Sequence, residues 1–71
     1  MADSVYAVSE IVGTSTESWE RAAANAVERA SRTLRDLRIA EVVELDATIE
    51  NGTIHTYRAR VKLSFKYESP D

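Results

Sequence analysis

Cysteine is missing from the sequence, and histidine occurs once, at His55. The first absence excludes disulfides; the second leaves a zinc-stapled fold without its usual ligands. No apolar run approaches the ~18 residues of a membrane span, and no signal-peptide pattern opens the chain. A soluble, cytoplasmic protein is expected, without a membrane partner. Excess positive charge is also missing, since the formal net charge is −3. Non-specific nucleic-acid affinity comes mainly from neutralising phosphates, so a nucleic-acid partner is not expected. Catalytic signatures are missing too: there is no cysteine nucleophile, no serine set beside a base by a visible motif and no phosphate loop. The expectation is a protein that is not an enzyme, with His55 an exposed residue near a hairpin tip.

The clearest positive signal lies near the carboxyl end. Tyr57, Ala59, Val61, Leu63, Phe65 and Tyr67 alternate with Arg58, Arg60, Lys62, Ser64 and Lys66. A period of two marks a β-strand with one covered and one wet face, here from Thr53 to Tyr67. At ~3.3 Å per residue it reaches about 45 Å. The 71 residues make one small domain, residues 1–71, below the size at which a single core comfortably outweighs chain entropy. With disulfides and zinc excluded, self-association is the remaining ordinary support.

Before that strand the chain reads as strand, helix, strand. After a frayed start at residues 1–4, a first strand runs from about Val5 to Val12, apolar on both faces, and Gly13 breaks it. Gly13-Thr14-Ser15-Thr16-Glu17 is a helix start in one of two registers. Either Ser15 is the N-cap, or Thr14 and Glu17 form a capping box; both put Glu17 near the positive end of the helix dipole. The helix continues to about Leu37, with Trp19, Ala23, Ala26, Val27, Ala30, Leu34 and Leu37 on one apolar stripe. Trp19 is expected in a core or a subunit contact. Arg29, Arg32, Arg35 and Arg38 read as a solvated face near the helix carboxyl end.

A second strand covers about Ile39 to Glu50, and Asn51-Gly52 signals a hairpin. With Thr53 these residues also spell a glycosylation sequon, which reads as chance without a secretory signal. A two-residue turn would bury Glu44 and Asp46 beside Tyr57 and Ala59, which is costly. A three-residue loop, Asn51-Gly52-Thr53, instead sets Glu44 opposite Arg60, Asp46 opposite Arg58, Val43 opposite Val61 and Leu45 opposite Ala59. That loop is preferred, although a bulge elsewhere gives the same parity. A right-handed crossover leaves room for the last strand between the other two. The predicted fold is α+β, a β-α-β-β chain whose three-stranded antiparallel sheet, order 1-3-2, packs on one long helix. Ser69-Pro70-Asp71 ends the chain beyond the sheet.

Several stretches together resemble the dodecin family. They are Glu10-Ile11-Val12-Gly13-Thr14-Ser15, Arg29-Ala30-Ser31-Arg32-Thr33-Leu34, Ala40-Glu41-Val42-Val43, and Thr56-Tyr57 followed by the alternating run to Phe65. The resemblance covers nearly the whole chain. It implies self-assembly into a hollow homododecamer of cubic symmetry that binds, stores or buffers a small ligand. Many dodecins hold paired flavins between tryptophans of the second strand, with a glutamine of the third strand at the polar edge. The matching positions here are Ile39 and Arg58, the cofactor-binding candidates, and both are substituted. Isoleucine offers no flat π-face, and arginine lacks the acceptor of an amide. Ser18-Trp19-Glu20 and the alanine-rich helix are most similar to the calcium-dodecin branch. That likeness implies a cation such as calcium, with Glu17, Glu44 and Asp46 as candidate ligands.

Overall fold

The computed structural model describes residues 4–67. The expected tail at residues 69–71 and most of the expected frayed start lie outside them. Strand β1 is Tyr6–Ser15, helix α1 is Trp19–Ala30, strand β2 is Leu37–Glu50 and strand β3 is Thr53–Lys66. The sheet order is β1-β3-β2, with β3 antiparallel to both neighbours. The architecture is the α+β arrangement read from the residue pattern.

β1 does not stop at Val12. It runs through Gly13, which pairs with Ala59, and on to Ser15 opposite Tyr57. The glycine is required by contact rather than by a bend. A Cβ there would collide with the carbonyl oxygen of Ala22 and come within 2.9 Å of the Ala26 side chain. Gly13 therefore lets helix and strand approach at the centre of the core, where Ala22, Ala26 and Ala30 meet Ala59, Val61 and Leu63.

Neither expected helix start is used. Ser18 is the N-cap, its hydroxyl accepting from the Arg21 amide at 2.9 Å. Ser15 Oγ instead accepts from the Glu17 amide at 2.9 Å, closing the turn between strand and helix. Glu17 thus precedes the helix, and Glu20 is the carboxylate of its first turn. The helix also ends earlier than the apolar spacing implied. The hydroxyls of Ser31 and Thr33 donate to the carbonyls of Glu28 and Ala30, and Asp36 takes a left-handed φ of 59°. Short hydroxyl side chains compete with the helical ladder in this way. Leu34 and Leu37 nevertheless pack on the core, so the stripe persists in space after the helix has stopped. Arg29, Arg32, Arg35 and Arg38 are all exposed, as a solvated face requires.

The hairpin turn has two residues, not three. Asn51 and Gly52 have φ of 53° and 78°, both left-handed, and Glu50 pairs with Thr53. That geometry matches the twist of the flanking strands. Parity is restored by an irregularity just beyond: Thr48 pairs with Thr56 and Ile49 with Ile54, so His55 is the extra residue. Glu44 then faces Arg60, Asp46 faces Arg58 and Leu45 faces Ala59, as the charge pattern demanded. A second shift between Val42 and Glu44 puts Val42, rather than Val43, opposite Val61.

At 1.5 Å per residue the 12-residue helix spans roughly 18 Å, whereas the 14-residue strands β2 and β3 each span roughly 46 Å. The long axis of the molecule is 55 Å. α1 lies over β1 and β3 and scarcely touches β2. Val42, Leu45, Ile49 and Ile54 are consequently exposed. Among the described residues, no helix is long and apolar enough to cross a membrane.

Candidate functional site

The sheet face turned away from α1 carries the charges. β3 presents Arg58, Arg60 and Lys62 between carboxylates from both neighbours, because its polar residues alternate with the core residues Ala59, Val61 and Leu63. Arg58 binds Asp46 with both arms of its fork, Nε donating to Oδ1 at 2.7 Å and Nη2 to Oδ2 at 3.0 Å. Arg60 bridges the sheet, donating from Nε to Glu44 at 3.3 Å and from Nη1 to Glu10 at 3.4 Å. Nearer the hairpin tip the Thr48 and Thr56 hydroxyls are hydrogen-bonded to each other.

The Arg58 guanidinium holds the Asp46 carboxyl below its ordinary value of 3.8, first by hydrogen bonding and then by charge. Because the folded value is depressed, the pairing is fully favourable above the unfolded pKa. It is lost as pH falls through the folded value. Arg58→Gln removes the cause, so the Asp46 carboxyl, followed by NMR titration, is expected to move back up toward 3.8. No movement would show that the fork does not set the charge on Asp46.

The cofactor candidates share this face without meeting. Ile39 is 59% exposed and pairs with Ser64, while Arg58 lies six positions along β3, roughly 20 Å away at the rise of a strand. One chain cannot bring both to the same planar ligand. Of the metal candidates, Glu44 and Asp46 stand on this face, each paired with an arginine. Glu17 lies elsewhere, in the turn before α1, beside Ser18, Glu20 and Arg21. Among the described residues no three acidic or histidine side chains gather to hold a metal ion. His55 is exposed beside the turn, 3.9 Å from Glu50.

Two features were not read from the residues. Glu10 completes the Arg60 bridge; the signal was its place on β1 beside β3, opposite Lys62 and two positions from Arg60. Trp19 is partly exposed, and it is also fastened. Its indole Nε1 donates to the Asp46 carbonyl at 2.8 Å, and its ring meets Tyr57 edge-on with centroids 4.8 Å apart. Trp19 forms one wall of a largely apolar cleft with Glu20, Ala23, Val42 and Leu45.

Comparison with known proteins bears on this arrangement. The sequence model of the Dodecin family matches residues 5–68. The chain belongs to the dodecin family. It is 48% identical over 63 residues to calcium dodecin of Mycobacterium tuberculosis, covering 89% of each chain. Among solved structures, dodecin of Streptomyces coelicolor superposes with a TM-score of 0.91 at 40% identity, covering 97% of this chain and 99% of that one. The Mycobacterium tuberculosis calcium dodecin, a calcium chelating antigen with a novel calcium-binding site, superposes with a TM-score of 0.80 at 43% identity, covering 94% and 96%. The strand order, the short helix and the long ribbon are thus those of the dodecin fold.

Proposed function

We propose that this chain assembles into a hollow homododecamer that binds and buffers a small ligand, a cation such as calcium rather than a flavin. The observation that carries the reading is the mismatch between core and surface. The buried core is three alanines of the helix against Ala59, Val61 and Leu63, while Val42, Leu45, Ile49 and Ile54 stand in water. A chain of this length cannot readily sustain that exposure alone. Copies closing around one another would cover it, and the dodecin family supports that mode of closure.

The residues present do not fit a flavin held in the family's usual way. Ile39 gives no stacking face, and both arms of Arg58 are committed to Asp46. A cation agrees better with the carboxylates and with the similarity to calcium dodecin. Calcium needs six to eight oxygens, so a single chain is short of ligands, and carboxylates of several copies would have to converge. Glu17, Glu44 and Asp46 are the residues proposed to take part, Glu44 and Asp46 by exchanging their arginine partners for the cation. The role is binding rather than catalysis, in the cytoplasm, where a chain without cysteine has nothing to lose to reduction.

Thermal unfolding of the purified protein tests the ligand. Its midpoint is expected to rise with added calcium and fall with chelator, by about 2.7 kcal/mol of apparent stability at a hundredfold excess over Kd. A midpoint indifferent to calcium, chelator and flavin would remove the ligand and leave a purely structural oligomer.

A further inference from the structure

β1 is an edge strand, bonded to β3 on one side only. Just before it the Tyr67 amide donates to the Val5 carbonyl at 2.8 Å, so in the unbroken register that follows the odd residues of β1 turn their amides and carbonyls toward β3. The even residues, Tyr6, Val8, Glu10, Val12 and Thr14, turn theirs the other way. Thr14 is served, since the Asn25 side-chain amide donates to its carbonyl at 2.9 Å. Among the described residues nothing pairs with the outward backbone groups of Tyr6, Val8, Glu10 and Val12. Beside this row runs a cleft of about 530 Å³, within the range of pockets that hold ligands. Ser9, Ile11, Ala26, Ala30 and Leu34 give it a mostly apolar lining, to which the exposed Arg29 adds a charge. Two other polar side chains of the lining are engaged within the chain, Asn25 with Thr14 and Arg21, and Thr33 with the Ala30 carbonyl. Arg29 is not engaged: Arg21, Arg58 and Arg60 have carboxylate partners, and among the described residues Arg29 has none.

We propose that an extended acidic segment of a partner protein adds to β1 as a fourth strand, setting apolar side chains into the cleft and a carboxylate on Arg29. A row of amides and carbonyls at strand spacing is matched along its length by another strand, whereas a compact small molecule meets only one or two of them. Charge then selects the occupant. A second copy laid edge to edge brings another Arg29 and, from its own β1, only Glu10, which Arg60 already holds. A partner strand with a free carboxylate satisfies the backbone row and the arginine together. Val42, Leu45 and Ile49, which support the assembly reading, lie on β2 at the opposite edge of the sheet. The proposal therefore does not rest on that reading.

The probe is a short end-blocked peptide with threonine at alternate positions and valines and an aspartate between them. On its addition, amide hydrogen exchange is expected to slow at Tyr6, Val8, Glu10 and Val12 and to stay as it was at Ala7, Ser9 and Ile11, whose amides β3 already holds. That alternation marks an added strand, because general covering of the surface would slow both sets. Arg29→Gln, and separately lysine for aspartate in the peptide, should each weaken binding by roughly two- to fivefold, as one exposed ion pair allows. No binding at millimolar peptide, binding without the alternating protection, or equal binding of the lysine peptide would overturn the proposal. Slow exchange at the even residues before any peptide is added would also overturn it, since another copy would then hold the edge.

Discussion

Gly13→Ala is expected to lower the thermal midpoint by roughly 10–25 °C, corresponding to about 3 kcal/mol for a domain of this size. The added methyl meets the Ala22 carbonyl oxygen and the Ala26 side chain, within a core whose helical members are all alanine. None of these atoms can swing aside as the end of a long side chain would. Either α1 must lift from β1, which unpacks Ile11 and Ala59, or the strand must bow away from β3. The control is the other glycine. Gly52 has a φ of 78° with open space around it, so Gly52→Ala costs about 1 kcal/mol of left-handed strain and no packing. Equal losses at the two positions, compared by thermal or urea unfolding, would contradict the close approach at Gly13.

Trp19→Ala is expected to cost about 2–3 kcal/mol, since it removes a partly buried indole, its edge contact with Tyr57 and the bond to the Asp46 carbonyl. Trp19→Phe keeps a ring for Tyr57 and loses the donor, so about half of that loss should remain. The residue joins the start of α1 to Asp46 of β2, two elements with little else between them. Without it the ribbon should fray from the tip toward Tyr57, which amide hydrogen exchange at Ala47 to Thr56 reads directly. Unchanged exchange there in Trp19→Ala would show that the indole is decoration rather than a fastener.

Strand order and the charged register were legible in the sequence because alternation and opposite charge both constrain parity. Glu44 with Arg60 and Asp46 with Arg58 admit few solutions once Ala59, Val61 and Leu63 are buried. The means of reaching that parity was not legible. A longer loop and a tight turn with an extra residue at His55 give the same pairs, and Asn51-Gly52 alone does not choose between them. Helix boundaries failed for a related reason. Leu34 and Leu37 keep helical spacing because they pack on the same core, although the hydroxyls of Ser31 and Thr33 have already ended the helix. Gly13 looked like a strand breaker because its need is tertiary: nothing local reveals that Ala22 will lie over it. For the site, the residues identified the Arg58 partner and missed Glu10, whose role depends on a strand far away in the chain. Separation of Ile39 from Arg58 on one face became visible only with the register in hand.

Native mass spectrometry of the purified protein at micromolar concentration tests the central claim most directly, because it reports the number of chains and any retained small molecule together. Twelve chains in one closed species is the predicted result. A well-folded single chain under the same conditions would contradict it.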